Sequence, residues 1–313
     1  MLNRRHIRIK VMQTIYAMHQ KGSDSIEKEE KFLLSSIENL MDLYLIILSS
    51  LIELTQKELE YIDASKKKHL ATAAERNPNL KFTENQVLQL LKSSKSIQAA
   101  LDTRKINNWS ANDDTILLLL QDVKQSKVYL DYMNDKVSSF ELDKQFVADL
   151  FSEVIAPNEK LYNYLEDYKL TWIDDIPVVN TQILKQLKQL TDKSEFRVSS
   201  LFKDEEDKEF ATLLFKKTVL NEVELAKEYL DKTPNWDVDR IAEIDTILLK
   251  MAICELLKFP SVPVKVTINE FLEIAKEYST PKSSIFINGI LDNLVKSYQS
   301  TGRLNKSGRG LLE

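Results

Sequence analysis

The sequence feature that most constrains the fold is the scarcity of glycine. The chain of 313 residues contains five glycines, and none lies between Gly22 and Gly289. Glycine supplies the left-handed backbone of tight β-hairpins and the open backbone of phosphate-binding loops. Gly-rich nucleotide loops, Rossmann turns and tight hairpins are therefore not expected in this interval. The remaining composition, rich in Leu, Ile, Lys and Glu, favours helices, so we predict an all-α fold.

Apolar residues recur at spacings of three and four along most of the chain, which is the period of amphipathic helices. We predict helices over residues 1–19, 26–68, 83–102, 112–137, 143–168, 178–192, 206–232, 237–258, 267–278 and 281–299. Thr267 and Glu270 have capping-box spacing, which predicts a helix start at Thr267. Gly289 lies inside the last predicted helix, where it predicts the close approach of another helix or of a ligand backbone.

The formal net charge of −5 conceals an uneven distribution. Residues 1–23 contain five Lys and Arg residues and no Asp or Glu, so the first helix is basic in an otherwise acidic chain. Such a local excess of cations suits a polyanionic partner. Near the other terminus, Arg303, Lys306 and Arg309 alternate with glycines, which predicts a flexible basic tail over residues 300–313.

No motif in the chain supports an enzyme. The histidines and Cys254 do not have metal-ligand spacing, and Walker, dinucleotide and nucleophile-elbow motifs are missing from the sequence. Cys254 lies in an apolar helix and is predicted to be an inert core thiol. We expect no catalytic residue, metal or cofactor. A single cysteine and short, charge-bounded apolar runs predict a cytoplasmic protein without a membrane partner.

Residues 143–184 also match residues 207–248 without a gap. Eleven positions are identical at this offset of 64, among them Asp143 with Asp207 and Trp172 with Trp236. A true duplication and chance matching of two amphipathic segments are equal alternatives.

Two segments, one near each end of the chain, carry specific motifs. Residues 3–8 read Asn-Arg-Arg-His-Ile-Arg and are followed by Gln13 and Ile15-Tyr16. Further along lie Trp236, Arg240-Ile241, the run Glu-Ile-Asp-Thr-Ile-Leu-Leu-Lys-Met-Ala-Ile-Cys-Glu-Leu at 243–256, Val262-Pro263, Lys-Val-Thr-Ile-Asn-Glu at 265–270, Ala275-Lys276 and Phe-Ile-Asn-Gly-Ile-Leu-Asp at 286–292. The first segment resembles the arginine-rich first helix of the NusB family of transcription antitermination factors, and the others resemble its fourth, fifth and sixth helices.

This resemblance implies two packed helical bundles and no catalysis. The expected domains are an N-terminal bundle over 1–200, enlarged by a family-atypical insertion at about 25–200, and a C-terminal NusB-like bundle over 201–299. It further implies binding to single-stranded boxA RNA of ribosomal leader transcripts, jointly with the small-subunit ribosomal protein NusE. The resulting complex makes the transcription elongation complex resistant to termination and promotes ribosomal RNA synthesis.

The resemblance also implies which residues contact RNA: Arg4, Arg5, His6, Arg8, Tyr16, Lys282, Ser283, Phe286 and Asn288. Arg4 and Arg8 share a helix face, and their planar guanidinium groups suit phosphates and stacked bases. Alternatives stay open, because the arginines could form a solvated face, Tyr16 could pack at the bundle edge, and Asn288 could cap or bridge helices.

Asp245 and Arg240 are implied to contact the protein partner. Asp245 falls on an apolar stripe, where a carboxylate is unfavourable unless a partner satisfies it. A buried salt bridge from Asp245 to Arg240 or Lys250 is the competing interpretation.

Two other functions compete with RNA binding. The acidic middle of the chain could make the protein a non-catalytic interaction scaffold. The same helical module also precedes ribosomal RNA cytosine methyltransferases, but no catalytic domain follows residue 292 in this chain, so an enzyme ranks last.

Overall fold

The computed structural model describes residues 1–230 and 241–311, and within these ranges every regular element is helical. The predicted all-α class is therefore confirmed. The helices are α1 (Arg4–Lys21), α2 (Ile26–Lys66), α3 (Ala73–Arg76), α4 (Gln86–Ser93), α5 (Lys95–Arg104), α6 (Asn108–Ala111), α7 (Asp113–Gln125), α8 (Lys127–Asn134), α9 (Phe140–Leu150), α10 (Glu159–Tyr168), α11 (Ile176–Gln189), α12 (Glu205–Leu220), α13 (Glu222–Leu230), α14 (Glu243–Lys258), α15 (Val264–Tyr278) and α16 (Ser283–Ser300). A π-helical turn (Phe151–Ile155) and 3-10 turns (Leu170–Asp175, Gly308–Leu311) complete them.

The chain divides into two compact units. The insertion unit comprises Met1 and Glu38–Leu201, and the terminal unit comprises Leu2–Ile37 and Phe202–Glu313. These limits differ from the predicted domains at the N-terminus, because residues 2–37 group with the C-terminal bundle rather than with the middle of the chain.

The terminal unit is built around α14, whose sequence is apolar on nearly every side. Helices α1, α12, α13, α15 and α16 all pack against α14. From α1, Ile7, Val11 and Ile15 are at most 1 % exposed, so the apolar stripe of the basic helix is buried in this core. Cys254 is fully buried, as predicted, and burial raises the pKa of its thiol to about 11.

The insertion unit has its own core, in which α9 packs against α4, α8 and α11. Phe146 of α9 stacks on Tyr132 and meets Phe82 edge to face. The Trp109 indole N–H donates to the carbonyl of Ile46 in α2, at 3.1 Å.

Several predicted helices are interrupted where a side chain caps a new one. The predicted helix 83–102 breaks at Ser94, whose hydroxyl oxygen accepts the Ile97 N–H. The predicted helix 112–137 breaks at Ser126, and 143–168 breaks around Pro157 before Asn158 caps α10. These three predictions of continuous helices were wrong. The predicted helix 206–232 was wrong as well in its described part, because α12 ends at Leu220 and α13 begins at Glu222.

The predicted helix start at Thr267 was also wrong. Helix α15 begins three residues earlier, at Val264. The Thr267 hydroxyl donates instead to the Glu255 carboxylate, and the Glu270 carboxylate accepts from Arg5, so both side chains make tertiary contacts in place of a cap.

The two matching segments, residues 143–184 and 207–248, begin in helices α9 and α12. Asp143 and Asp207 are both buried in a first helical turn, and Phe146 and Phe210 are each 4 % exposed. Trp236 lies outside the described residues. The duplication stays a prediction. The two pairs of matching residues, Asp143 with Asp207 and Phe146 with Phe210, are buried to a similar extent.

One helix of the described chain, α2, is long and apolar enough to cross a membrane by length and composition. In its most apolar window, 61 % of the residues are buried inside the protein. Core helices of globular proteins also pass this test, so α2 is weak evidence for a membrane span.

Candidate nucleic-acid interface

Arg4 and Arg5 lie in the first turn of α1. The helix dipole disfavours cations at this N-terminal end of a helix. The Asn3 side chain accepts the His6 N–H at 3.0 Å and fixes the helix start immediately before Arg4 and Arg5. The first turn contains no acidic residue, although the helix dipole favours anions there. Carboxylates from other helices therefore have to compensate these charges.

Both arginines have such carboxylate partners. The Arg4 Nε donates to Asp207 at 2.9 Å, and the guanidinium of Arg5 forms a bidentate pair with Glu270 at 2.8 and 2.9 Å. The hydrogen bond to Glu270 raises the pKa of Arg5. The two arginine side chains are 35 % and 39 % exposed, so their remaining N–H groups reach solvent. The guanidinium groups that were predicted to bind RNA are thus oriented and partly neutralised by the protein itself.

Arg8 is in a different environment from Arg4 and Arg5. Its guanidinium is 1 % exposed and forms a bidentate pair with the fully buried Glu255 at 2.7 and 2.8 Å. Thr267 donates to the same carboxylate at 2.7 Å, and the rings of Phe210 and Phe271 lie beside the guanidinium. The prediction that Arg8 holds RNA therefore needs correction, because its charge is used to fix α1 against α14 and α15.

Two further predicted RNA residues lie on α1. Burial, followed by the charge of Arg5, lowers the pKa of His6, and the ring Nδ1 accepts the Asn3 N–H at 3.4 Å. His6 is thus neutral at pH 7 and brings no positive charge. Tyr16 is 38 % exposed, so its ring is accessible at the edge of the bundle.

The four predicted residues of the last helix separate into two groups. Lys282 is exposed, and the half-buried Asn288 donates to Asp292 one turn further along α16 at 3.2 Å. Ser283 and Phe286 are 2 % and 8 % exposed, which removes their side chains from direct RNA contact in this structure.

Asp245 is 5 % exposed, and one of its oxygens accepts the Ser283 hydroxyl at 2.6 Å. The proposed salt bridge from Asp245 to Lys250 is wrong, because Lys250 pairs with Glu222. Arg240, the other predicted partner-contact residue, lies outside the described residues. Apart from its own helix, no described atom lies within 4 Å of a Cβ placed on Gly289, so the close helix approach predicted there is not found among the described residues.

A cleft of about 530 Å³ lies beside the first turn of α1. It is lined by Asn3, Arg4, Arg5, Arg8, Ser261, Val262, Pro263, Val266, Glu270 and Arg309. Arg309 was not among the predicted site residues. Its position in a Gly-Arg-Gly sequence favoured a flexible tail, whereas the structure places it in the cleft.

Acidic, histidine and cysteine side chains do not gather into a possible metal site in the two described ranges. The arrangement instead defines a class of protein: an all-α bundle in which a basic first helix is fixed to a C-terminal helical core, with an arginine-lined cleft at the start of that helix.

Comparison with known proteins agrees with this class. The NusB family model matches residues 181–296. The transcription antitermination protein NusB of Salinibacter ruber is 49 % identical over 113 residues, which cover 36 % of this chain and 70 % of that protein. The chain belongs to the NusB family.

Other members of the family match over shorter shares of their length. The NusB proteins of Chloroherpeton thalassium and Natranaerobius thermophilus are 43 % and 44 % identical over 106 and 81 residues, which cover 50 % and 54 % of those proteins. They cover 34 % and 26 % of this chain. No solved structure matches the chain significantly.

Proposed function

We propose that this protein is a non-enzymatic transcription antitermination factor that binds the boxA element of ribosomal RNA leaders together with the ribosomal protein NusE. The names of its relatives support the antitermination role. The RNA element, the ribosomal partner and the elongation complex are carried over from the family resemblance. A cytoplasmic location without a membrane partner belongs to the same proposal.

One observation carries this proposal. The two segments that resemble the family are separated by the long middle of the chain, yet residues 2–37 and 202–313 form one compact unit. The buried Arg8–Glu255 pair joins them within that unit. The basic helix thus belongs to the same body as the C-terminal bundle, which is the arrangement that a shared RNA surface requires.

The RNA site that we propose is narrower than the set predicted from the sequence. It comprises Arg4, Arg5, Tyr16, Lys282 and Asn288, which all have accessible side chains. Arg8, Ser283 and Phe286 are buried and are left out of the proposed RNA contacts. Asp245 is buried to the same extent as Ser283 and Phe286, so the contact with the protein partner is proposed for the surface around Asp245 and for Arg240, which lies outside the described residues.

The test is fluorescence anisotropy with a labelled boxA leader RNA and a scrambled RNA of the same composition, with and without NusE, across a range of salt concentrations. We expect selective binding of boxA that NusE tightens. Two or three phosphate contacts predict a log–log salt slope of about −1.4 to −2.1 for a single strand.

The matched variants are Arg4→Ala with Arg5→Ala, and Arg104→Ala as control. Arg104 is also a partly exposed arginine paired with two carboxylates, but it lies in the insertion unit. We expect the double variant to lose most of its RNA affinity and the control to retain it. Equal binding of both RNAs by the native protein, or full affinity in the double variant, would contradict the proposal.

A further inference from the structure

Within the terminal unit, segment 303–311 packs against the C-terminal end of α14. Lys306 extends its ammonium group to the carbonyls of Phe259 and Glu255, at 3.0 and 3.4 Å. These carbonyls lie at the C-terminal end of α14, where the helix dipole favours a cation. The contact partly buries the ammonium group, and this burial lowers the pKa of Lys306.

The backbone of the segment is held as well. The Ser307 N–H donates to the Pro260 carbonyl at 3.0 Å, and the Gly310 N–H closes a turn onto Ser307 at 2.9 Å. Gly310 is buried, and an added Cβ would overlap the carbonyl oxygen of Pro260. Only glycine fits at this point without displacing the segment. The predicted flexible tail is thus replaced, over these residues, by a docked turn.

Docking places Arg309 in the cleft beside Arg4 and Arg5. The three other cleft arginines are each compensated by a carboxylate: Arg4 by Asp207, Arg5 by Glu270 and Arg8 by Glu255. The side chain of Arg309 is exposed. Among the described residues, Arg309 is therefore the cleft arginine without a carboxylate partner.

We infer that the docked segment 303–311 completes the RNA site and that Arg309 binds a backbone phosphate of the single-stranded RNA. This inference rests on the proposed function and extends it to a second basic segment. Arg4 and Arg5 are held in place by their carboxylates, and the phosphate approaches their remaining N–H groups while Arg309 contributes the net attraction. Gly310 acts by positioning Arg309, because it allows the turn to reach the Pro260 carbonyl.

The experiment uses the full chain and a fluorescein-labelled single-stranded leader RNA. Arg309→Ala removes the charge, and Gly310→Ala keeps the charge but displaces the segment. We expect each variant to weaken RNA binding about tenfold at about 50 mM salt, and Arg309→Ala to make the log–log salt slope shallower by about 0.7.

A control variant matches the removal of charge. Lys296→Ala removes an exposed cation of α16 that does not line the cleft. It should bind RNA as the native protein does. If Lys296→Ala weakens binding as much as Arg309→Ala, the effect is one of total charge and the inference is overturned.

Hydrogen exchange gives a readout that does not depend on RNA. The amide protons of Ser307 and Gly310 should exchange slowly in the native protein and in Arg309→Ala, and quickly in Gly310→Ala. Rapid exchange of these two amide protons in the native protein would contradict the docking of segment 303–311.

The failures of the two proposals can be told apart. Selective RNA binding that neither Arg309→Ala nor Gly310→Ala weakens overturns the inference and leaves the proposed function intact. Absence of RNA binding by the native protein overturns both.

Discussion

At the residue scale, the basic helix α1 contains arginines in two different environments. Arg8 is buried and holds α1 in place, whereas Arg5 lies at the surface with part of its guanidinium accessible. The sequence shows both as arginines in one short run, and burial alone distinguishes them. This difference predicts separate effects on stability and on RNA binding.

Removal of the Arg8 charge should destabilise the terminal unit strongly. Arg8→Met leaves the Glu255 carboxylate buried without its partner, which costs about 3–5 kcal/mol of folding free energy. Urea unfolding followed by circular dichroism measures this loss. Arg5→Ala, which breaks a partly exposed pair, should cost less than about 1 kcal/mol.

The double variant Arg8→Met with Glu255→Met provides the internal control. Because it removes both buried charges together, it should recover much of the stability that Arg8→Met loses. Equal destabilisation by Arg8→Met and Arg5→Ala would show that the buried pair does not fix α1.

Glu270 is predicted to limit RNA affinity. Its carboxylate occupies two N–H groups of Arg5 and places a negative charge in the cleft. Glu270→Gln removes that charge, so we expect RNA to bind a few-fold more tightly with a steeper salt dependence. Anisotropy titration measures both, and Glu224→Gln, at an exposed carboxylate of α13, is the control. Weaker binding by Glu270→Gln would mean that Glu270 acts mainly by orienting Arg5.

At the element scale, the end of α1 is tied down by a pH-sensitive cluster. The His19 ring lies 3.0 Å from Glu222 and 3.2 Å from Glu243. The hydrogen bond to Glu222 raises the pKa of His19, and the hydrogen bond from His19 lowers the pKa of Glu222 to about 2. Lys250 supports the lowered pKa of Glu222 from α14.

The sign of the pH dependence follows from these two shifts. The raised pKa of His19 contributes stability that is fully present below the ordinary histidine value of 6.5 and is lost as the pH rises through the raised pKa. The lowered pKa of Glu222 contributes stability that is present above its ordinary value of 4.5 and is lost as the pH falls towards about 2. The cluster is therefore most stabilising between these two ordinary values.

His19→Gln tests this dependence. The free energy of unfolding of the native protein, minus that of the variant, should decrease as the pH rises above 6.5. His6, whose pKa is lowered, acts in the opposite direction, and subtraction of the His19→Gln curve removes its contribution. A difference that does not change with pH would contradict the assignment.

The long helices could be predicted from the sequence. The apolar stripes of α1, α2, α14 and α16 are visible because a long helix buries many periodic positions. The break at Ser94 was not predictable, because the helical period continues across a single serine that caps the next helix.

The candidate site was predictable only in part. The basic first turn with Arg4 and Arg5 is visible in the sequence. The burial of Arg8 and Ser283 depends on Glu255 and Asp245, which are remote in the chain. The docking of Arg309 depends on the Pro260 carbonyl, and nothing local in a Gly-Arg-Gly sequence indicates that contact.

At the scale of the whole molecule, a long middle segment separates the two parts of the terminal unit in the sequence. Residues 38–201 form a compact unit with its own core, while residues 2–37 and 202–313 group together. The account therefore places RNA binding in the terminal unit. The competing scaffold interpretation places the working surface in the acidic middle of the chain.

The most direct test of this claim is to map where the RNA lies on the native protein. A leader RNA carrying 4-thiouridine within boxA would be cross-linked by light, and the attached peptides identified by mass spectrometry. The account predicts cross-links in residues 4–16, 282–289 and 303–311, and their loss with the Arg4→Ala and Arg5→Ala double variant. Cross-links confined to residues 38–201 would contradict it and would assign RNA binding to the insertion unit.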